Sequence, residues 1–286
     1  MKNIINNDMS EYWNGVGGDK WVDLHKKTNE FLLPLGQKAM DVAAIVEGDL
    51  ALDIGCGCGE TSFDMANIVS ATGHINGLDI SRPIITEARV NKKQLGVKNV
   101  TFQCGDAQVF ELDEGLYDLI YSRLGVMFFD DPVAAFINMR GALDKNGRLV
   151  FVCWQPVIEN QWISKPLNII SKYIDLPEPT DFNAPGPFSF SEPSKVKDIL
   201  TKAGFTKIEI SAYNCPVNFG DNTVEAAHFL TQMGPAGNAI SSAEPSPKIL
   251  ASISSEIEQA IAPYFTTKGI MLGAATWIVT AENSPA

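Results

Sequence analysis

Apolar residues along this chain follow two rhythms that alternate. Short, nearly unbroken apolar runs have the length and content of buried strands: Leu50 to Ile54, His74 to Ile80, Val100 to Cys104, Tyr117 to Ser122 and Arg148 to Trp154. Between them the apolar positions recur at helical spacing. Phe63, Ala66 and Val69 do so after Glu60, and a helix is predicted from Arg82 to Leu95, with Pro83 in its first turn and Gly96 just beyond its end. Asp130-Asp131-Pro132 reads as an acidic cap with proline at the first helical position, backed by the stripe Val133, Phe136, Met139 and Leu143. Asn146-Gly147 predicts a turn before the fifth strand. Five strands in order, separated by helices or loops, predict an α/β fold: a doubly wound, mostly parallel sheet with right-handed crossovers.

After Trp154 the rhythm changes. Gln155 to Phe190 carries six prolines (Pro156, Pro166, Pro177, Pro179, Pro185, Pro187), with a helical piece expected from Pro166 to Ile174. Such a segment inside a compact domain suits a functional cap better than an idle loop. A helix from Ser194 to Ala203 ends at Gly204, and Phe205 to Ala212 reads as a sixth strand. Thr223 to Met233 and Pro247 to Ala262 read as helices around a Gly/Ser/Pro linker. Gly269 to Thr280 has the β-branched and aromatic content of a closing strand, the seventh and antiparallel. The expected organisation is an N-terminal helical cap segment, 1–48, and a Rossmann-like domain, 49–286, with cap insertions near 155–190 and 214–268.

The chemistry concentrates at Asp53-Ile54-Gly55-Cys56-Gly57-Cys58-Gly59. A strand that turns into a helix through side-chain-free residues lets a ligand approach the main-chain N–H groups closely, as adenosine-containing cofactors do at the carboxyl ends of α/β strands. A dinucleotide site would carry Gly-x-Gly-x-x-Gly, and Glu60 stands where its third glycine belongs. Glu60 and Asp53 would repel a pyrophosphate and suit a ligand bearing an ammonium and a sulfonium. A Walker phosphate loop is absent from the sequence.

Three passages together, the glycine turn, Gly77-Leu78-Asp79-Ile80-Ser81 and Gly105-Asp106-Ala107, resemble the successive cofactor motifs of class I S-adenosylmethionine-dependent methyltransferases, of the small-molecule type related to the ubiquinone and menaquinone C-methyltransferases. The resemblance runs from about Asp49 to Trp154, and more weakly through Ala203-Gly204-Phe205. It implies S-adenosyl-L-methionine as cofactor. It implies that Gly55, Cys56, Gly57 and Gly59 hold the methionine portion, with Asp53 placing its amine. Asp79, 20 residues past Gly59, would accept from the ribose hydroxyls, beside Ile80. Asp106 would read the adenine amino group with Ala107 against the ring, and Ser122 and Arg123 would line the floor of the methyl-donor pocket. The implied activity is methyl transfer to a small hydrophobic or aromatic acceptor. An NAD-dependent oxidoreductase and a non-catalytic S-adenosylmethionine-binding module are the alternatives; the glycine spacing and Glu60 weigh against the first.

A net charge of −12 argues against a nucleic-acid partner, because neutralising phosphates needs surplus Lys and Arg. The expected partner is a small-molecule methyl acceptor, and a homodimer is an admissible assembly. Five cysteines, an odd count with two inside the glycine turn, point to a reducing cytoplasm. Cys56-x-Cys58 lacks the second pair of ligands that zinc requires, so no metal is expected. The longest apolar stretch, Gly269 to Ala281, falls short of the ~20 residues that span a bilayer. Of the three histidines, His74 begins a strand at the wrong end of the sheet, His25 would reach the cofactor if its helix folds over the pocket, and His228 lies on a late helix. None is assigned as a base, since an activated sulfonium requires chiefly alignment and exclusion of water. Tyr12, Trp13 and Trp21 could cover the cofactor, and Gly125 to Phe129 with Phe182, Phe188 and Phe190 would give the acceptor an apolar lining.

Overall fold

The computed structural model describes residues 5–176 and 184–284. Two helices lead, α1 (Asn7–Asn14) and α2 (Val16–Ala43). There follow β1 (Leu50–Ile54), α3 (Glu60–Val69), β2 (His74–Asp79), α4 (Arg82–Leu95), β3 (Val100–Cys104), β4 (Tyr117–Arg123), α5 (Pro132–Ala142) and β5 (Leu143–Trp154). The later elements are α6 (Gln161–Ile170), α7 (Pro193–Lys202), β6 (Thr206–Asn218), α8 (Thr223–Leu230), α9 (Gly234–Ala243), α10 (Pro247–Ile261), β7 (Phe265–Thr266) and β8 (Gly269–Glu282). Local chemistry sets the helix ends. Ser81 caps α4 by accepting from Ile84 N, Gly96 closes it in the left-handed region, and Asp131 caps α5 through Ala134 N.

The strands lie in the order β3-β2-β1-β4-β5-β8-β6, with β7 paired to β8 off this path. The first five are parallel and the late strands antiparallel. The chain therefore winds outward from β1 to β3, then crosses back to lay β4 on the other side of β1. That reversal opens a crevice at the carboxyl ends of β1 and β4, where open α/β sheets bind ligands.

The chain divides into two compact units. The first holds residues 1–154, 182–212 and 277–286; the N-terminal helices belong to it. Helices α2, α3 and α4 pack together over β1 to β5, and α5 packs with α7. The register places these groups on opposite faces. Tyr121, paired with Asp53, hydrogen-bonds Gly36 O of α2, while Ser122, paired with Phe151, faces α5. The core on that second face centres on Phe136, fully buried among Phe129, Phe151, Phe190 and Phe205 with ring centroids 5.6 to 6.3 Å away.

The second unit holds residues 155–181 and 213–276. Its core joins Trp162 of α6, stacked on Phe219 at 5.8 Å, to Phe229 of α8 and the buried Ile253, Ile257 and Ile261 of α10. Asn160 anchors it, donating to Ala275 O and accepting from Ala275 N at 2.8 Å.

Several sequence expectations are corrected. Asn146-Gly147 does not separate helix from strand: β5 begins at Leu143, and the irregularity is a register shift opposite Tyr117 and Leu119. The stretch taken as a Gly/Ser/Pro linker is α9, nucleated by Pro235 in its first turn, where proline's fixed φ helps rather than hinders. β6 runs on to Asn218, and α6 starts at Gln161 and ends at Ile170. Phe190 belongs to the core around Phe136 and does not line a pocket; Val126 and Met127 are likewise buried. Pro177, Pro179 and Phe182 lie outside the described residues.

Phe136→Ala should lower stability by about 3–5 kcal/mol, the usual cost of removing a buried aromatic and leaving a cavity. Urea unfolding followed by circular dichroism would show it; a loss under 1 kcal/mol would mean the aromatic group repacks.

Candidate functional site

At the crevice two bare stretches of main chain meet. Gly55, Gly57 and Gly59 all have positive φ, at 66°, 59° and 99°. A Cβ on Gly55 would lie 2.8 Å from Gly125 Cα, and one on Gly125 would lie 2.7 Å from Ile54 O. Ser122 braces this approach from beneath: its Oγ donates to Ile54 O at 2.7 Å and accepts from Gly125 N at 3.2 Å. The N–H groups of the turn are largely spent internally, contrary to the expected cradle of free donors. Gly55 and Cys56 donate to Leu78 O, Gly57 donates to Asp79 Oδ2, and Gly59 donates to Cys56 O. What the turn offers is closeness, not spare hydrogen bonds.

The three acids end three adjacent strands. Asp53, fully buried, accepts at Oδ2 from Thr61 and Ser62 hydroxyls of α3, both at 2.7 Å. Its Oδ1 has no partner among the described residues. Asp79, half-buried, accepts from Gly57 N at 3.1 Å and Ser81 N at 3.0 Å. Asp106, 3% exposed, takes Gln108 N at Oδ1 and the main-chain N–H groups of Ile5 and Asn6 at Oδ2.

A family profile described as "Methyltransferase domain" matches residues 45–172. An aklanonic acid methyltransferase of Streptomyces sp. (strain C5) is 34% identical over 122 residues, 43% of this chain and 56% of that protein. Nocamycin O-methyltransferase of Saccharothrix syringae is 26% identical over 188 residues, 63% of this chain and 67% of that one. The match thus spans little more than half of the first relative. Among solved structures, a phosphoethanolamine N-methyltransferase of Haemonchus contortus, in complex with phosphomonomethylethanolamine and S-adenosylhomocysteine, has TM-score 0.60 at 15% identity, covering 99% of this chain and 61% of that one. These matches support a class I S-adenosylmethionine-dependent methyltransferase.

The remaining residues singled out from sequence have varied settings. Ile80 is half-buried, with its carbonyl accepting from Asn14 Nδ2 at 3.2 Å. Ala107 is buried and Cys56 and Cys58 lie beneath the turn, burial pushing both thiols up so that they stay neutral and unreactive. Arg123 reaches toward α2, donating to Asn29 Oδ1 at 2.8 Å. His25 is brought to the start of α3, with Nδ1 2.6 Å from Glu60 Oε1. Cys58 Sγ lies within 4.8 Å of that pair's ligating atoms, a grouping that chain spacing does not suggest. His74 hydrogen-bonds Thr101 at the opposite end of the sheet, and His228 is exposed beside Gln232.

Sequence reasoning named Tyr12, Trp13 and Trp21 as cover but missed the polar contacts that residues 5–36 make at the strand ends. Trp13 stands edge-on to Trp21 at 5.8 Å and to Phe128 at 5.4 Å, while its carbonyl accepts from Ser81 Oγ. Asn6 donates to Phe128 O at 2.7 Å, and Asn14 also accepts from Arg82 N. The available signal was Gly17-Gly18. A Cβ on Gly18 would sit 2.0 Å from Trp13 O, and one on Gly17 would strike the Tyr12 ring, so α1 folds back on α2 only where both side chains are absent.

Burial holds the Asp53 carboxyl at about 6, against the Ser62 and Thr61 hydroxyls and the Arg123 guanidinium, which pull it down, and with Asp79 adding a small upward push. Its proton is bound more tightly in the folded chain than in the unfolded one. Stability therefore falls as pH rises from the unfolded value, 3.8, through about 6, and is flat above. Asp53→Asn mimics the neutral acid, so between about pH 4.5 and about pH 7.5 the wild type should lose about 2 kcal/mol more than the variant. Urea titrations at both pH values would show it; parallel losses would put the carboxyl at its ordinary value.

Proposed function

We propose that this methyltransferase moves the methyl group of S-adenosylmethionine to a small hydrophobic or aromatic acceptor, and that the three strand-end acids and the glycine turn hold the donor. One observation carries the reading: a fully buried carboxylate, Asp53, keeps an oxygen without a partner beside a turn stripped of side chains. An unsatisfied buried acceptor is costly, and an incoming ammonium would satisfy it.

The remaining roles follow from acceptor chemistry. A carboxylate accepts only, and each oxygen has room for two donors. Asp79 spends one position per oxygen on Gly57 and Ser81, leaving both oxygens open to ribose hydroxyls. Asp106 keeps one position at Oδ1 for an amino group such as that of adenine, with Ala107 beside the ring. Burial raises the Asp79 carboxyl, which donor hydroxyls would offset. When bound, the sulfonium supplies an already activated methyl group, so the protein's work is alignment and exclusion of water. Trp13, Trp21 and Phe128 form an aromatic wall at the strand tips suited to a flat, apolar acceptor, and two relatives bear the names of small-molecule methyltransferases.

Calorimetry with S-adenosylhomocysteine tests the donor site. The wild type should bind one equivalent, and Asp79→Ala should weaken binding about 10- to 100-fold, the worth of charge-assisted hydrogen bonds to two hydroxyls. Binding of NADH with no response to S-adenosylhomocysteine, or an Asp79→Ala variant of unchanged affinity, would overturn the assignment.

A further inference from the structure

Four side chains from four separate elements converge beside the glycine turn. Helix α2 supplies His25, the turn supplies Cys58, α3 opens on Glu60 and α4 carries Glu87. His25 Nδ1 lies 2.6 Å from Glu60 Oε1, and the fully buried Cys58 places Sγ within 4.8 Å of the ligating atoms of both. On the other side of the ring, His25 Nε2 faces Glu87 Oε1 at 4.0 Å. The face of α2 that meets the turn sets this up. Trp21, His25 and Asn29 follow one another at four-residue spacing: a Cβ on Gly57 would lie 3.5 Å from Trp21 Nε1, and Asn29 meets Arg123. Helix α4 fixes the main chain of Cys58, since Asn91, one turn beyond Glu87, donates to Cys58 O at 3.2 Å.

A plain His–Glu hydrogen bond accounts for two of these groups and leaves the sulfur and the second carboxylate unexplained. Imidazole, thiolate and carboxylate together are the donor set of a borderline divalent cation such as zinc. A ligating histidine commonly turns its second N–H toward an outer carboxylate, which is where Glu87 stands. We propose that His25 Nδ1, Cys58 Sγ and Glu60 Oε1 form a three-ligand site for zinc or a divalent cation of its class, with Glu87 orienting the imidazole and the fourth position open to water. Tetrahedral zinc keeps its ligand atoms about 3.3–3.6 Å apart, so imidazole and acid must part, and the sulfur close in, by about 1 Å each. The His25 and Glu60 side chains keep 11% and 19% of their surface exposed, which gives the ion a path from solvent. Binding exchanges the Cys58 thiol proton for the metal, and one thiolate with one carboxylate cancels the charge of the ion. Cys56 takes no part: it points toward β2, where a Cβ on Gly77 would lie 2.9 Å from its Sγ. The expectation of no metal rested on the spacing of Cys56 and Cys58, whereas folding brings in His25. A bound ion would clip α2, the cover helix, to the turn, whether or not the donor-site reading holds.

Cobalt(II) tests the site in the whole chain after chelator treatment, because it substitutes for zinc and reports a thiolate ligand through a sulfur-to-metal charge-transfer band in the near ultraviolet. The wild type should bind one equivalent with that band, zinc should displace it, and either ion should raise the midpoint of thermal unfolding. Cys58→Ser should abolish the band, and Cys56→Ala should keep it. Glu87→Gln should weaken zinc binding about 10- to 100-fold, the cost of losing an outer carboxylate, and His25→Ala or Glu60→Gln should weaken it by more. If Cys58→Ser does not fold, the wild-type band and the His25→Ala variant decide. Cobalt bound without the band, a band that survives Cys58→Ser, or zinc affinity unchanged by His25→Ala would overturn the proposal. None of these readouts uses S-adenosylhomocysteine, so the donor site stands or falls separately.

Discussion

The arrangement depends on two main chains passing within van der Waals contact at the tips of β1 and β4. Gly55 and Gly125 face each other with no room for a Cβ on either, and the Ser122 hydroxyl bridges Ile54 O and Gly125 N. Because winding order reverses between these strands, a ligand there can lie across the sheet without meeting a crossover helix. Close approach consumes the turn's own N–H groups: they bond Leu78 O, Asp79 and Cys56 O instead of pointing into the crevice. In the proposed donor site, recognition would therefore fall to side chains, and the acceptor oxygens of Asp53, Asp79 and Asp106 would favour a donor-rich, positively charged ligand.

The acids are arranged at graded cost. Asp79 and Asp106 each receive main-chain donors on both oxygens, which offsets much of the penalty for removing a carboxylate from water. Asp53 receives two hydroxyls on one oxygen and nothing on the other, and its carboxyl rises to about 6. Burial that is compensated everywhere except at one atom is hard to rationalise as a folding device, because an apolar residue there would cost less. It is what the proposed donor site would require, with the missing interaction supplied on binding.

The first two helices belong to the same compact unit as the sheet and complete its strand tips. Ile5 and Asn6 reach Asp106, Trp13 and Asn14 reach the turn after β2, His25 reaches Glu60 and Asn29 reaches Arg123. Successive contacts along 25 residues of one segment span the carboxyl ends of several strands. The absence of side chains at Gly17 and Gly18 is what permits α1 to turn back onto α2, so this cover depends on local sterics as well as on packing.

Alternating apolar rhythm and glycine spacing were sufficient, read from the chain alone, to define the doubly wound sheet and the boundaries of α4 and β3. Those are local properties, set by periodicity, capping and the steric freedom of glycine, so they are written in consecutive residues. The chain alone did not separate core from lining: Phe190 and Phe128 look alike in sequence, yet one stacks on Phe136 and the other meets Trp13. Nor did it reveal that α9 is helical, that the turn's N–H groups are already used, or that Asp106 is met by the main chain of Ile5 and Asn6. These depend on which distant segments share a volume, and only folding brings residues a hundred positions apart within hydrogen-bond reach.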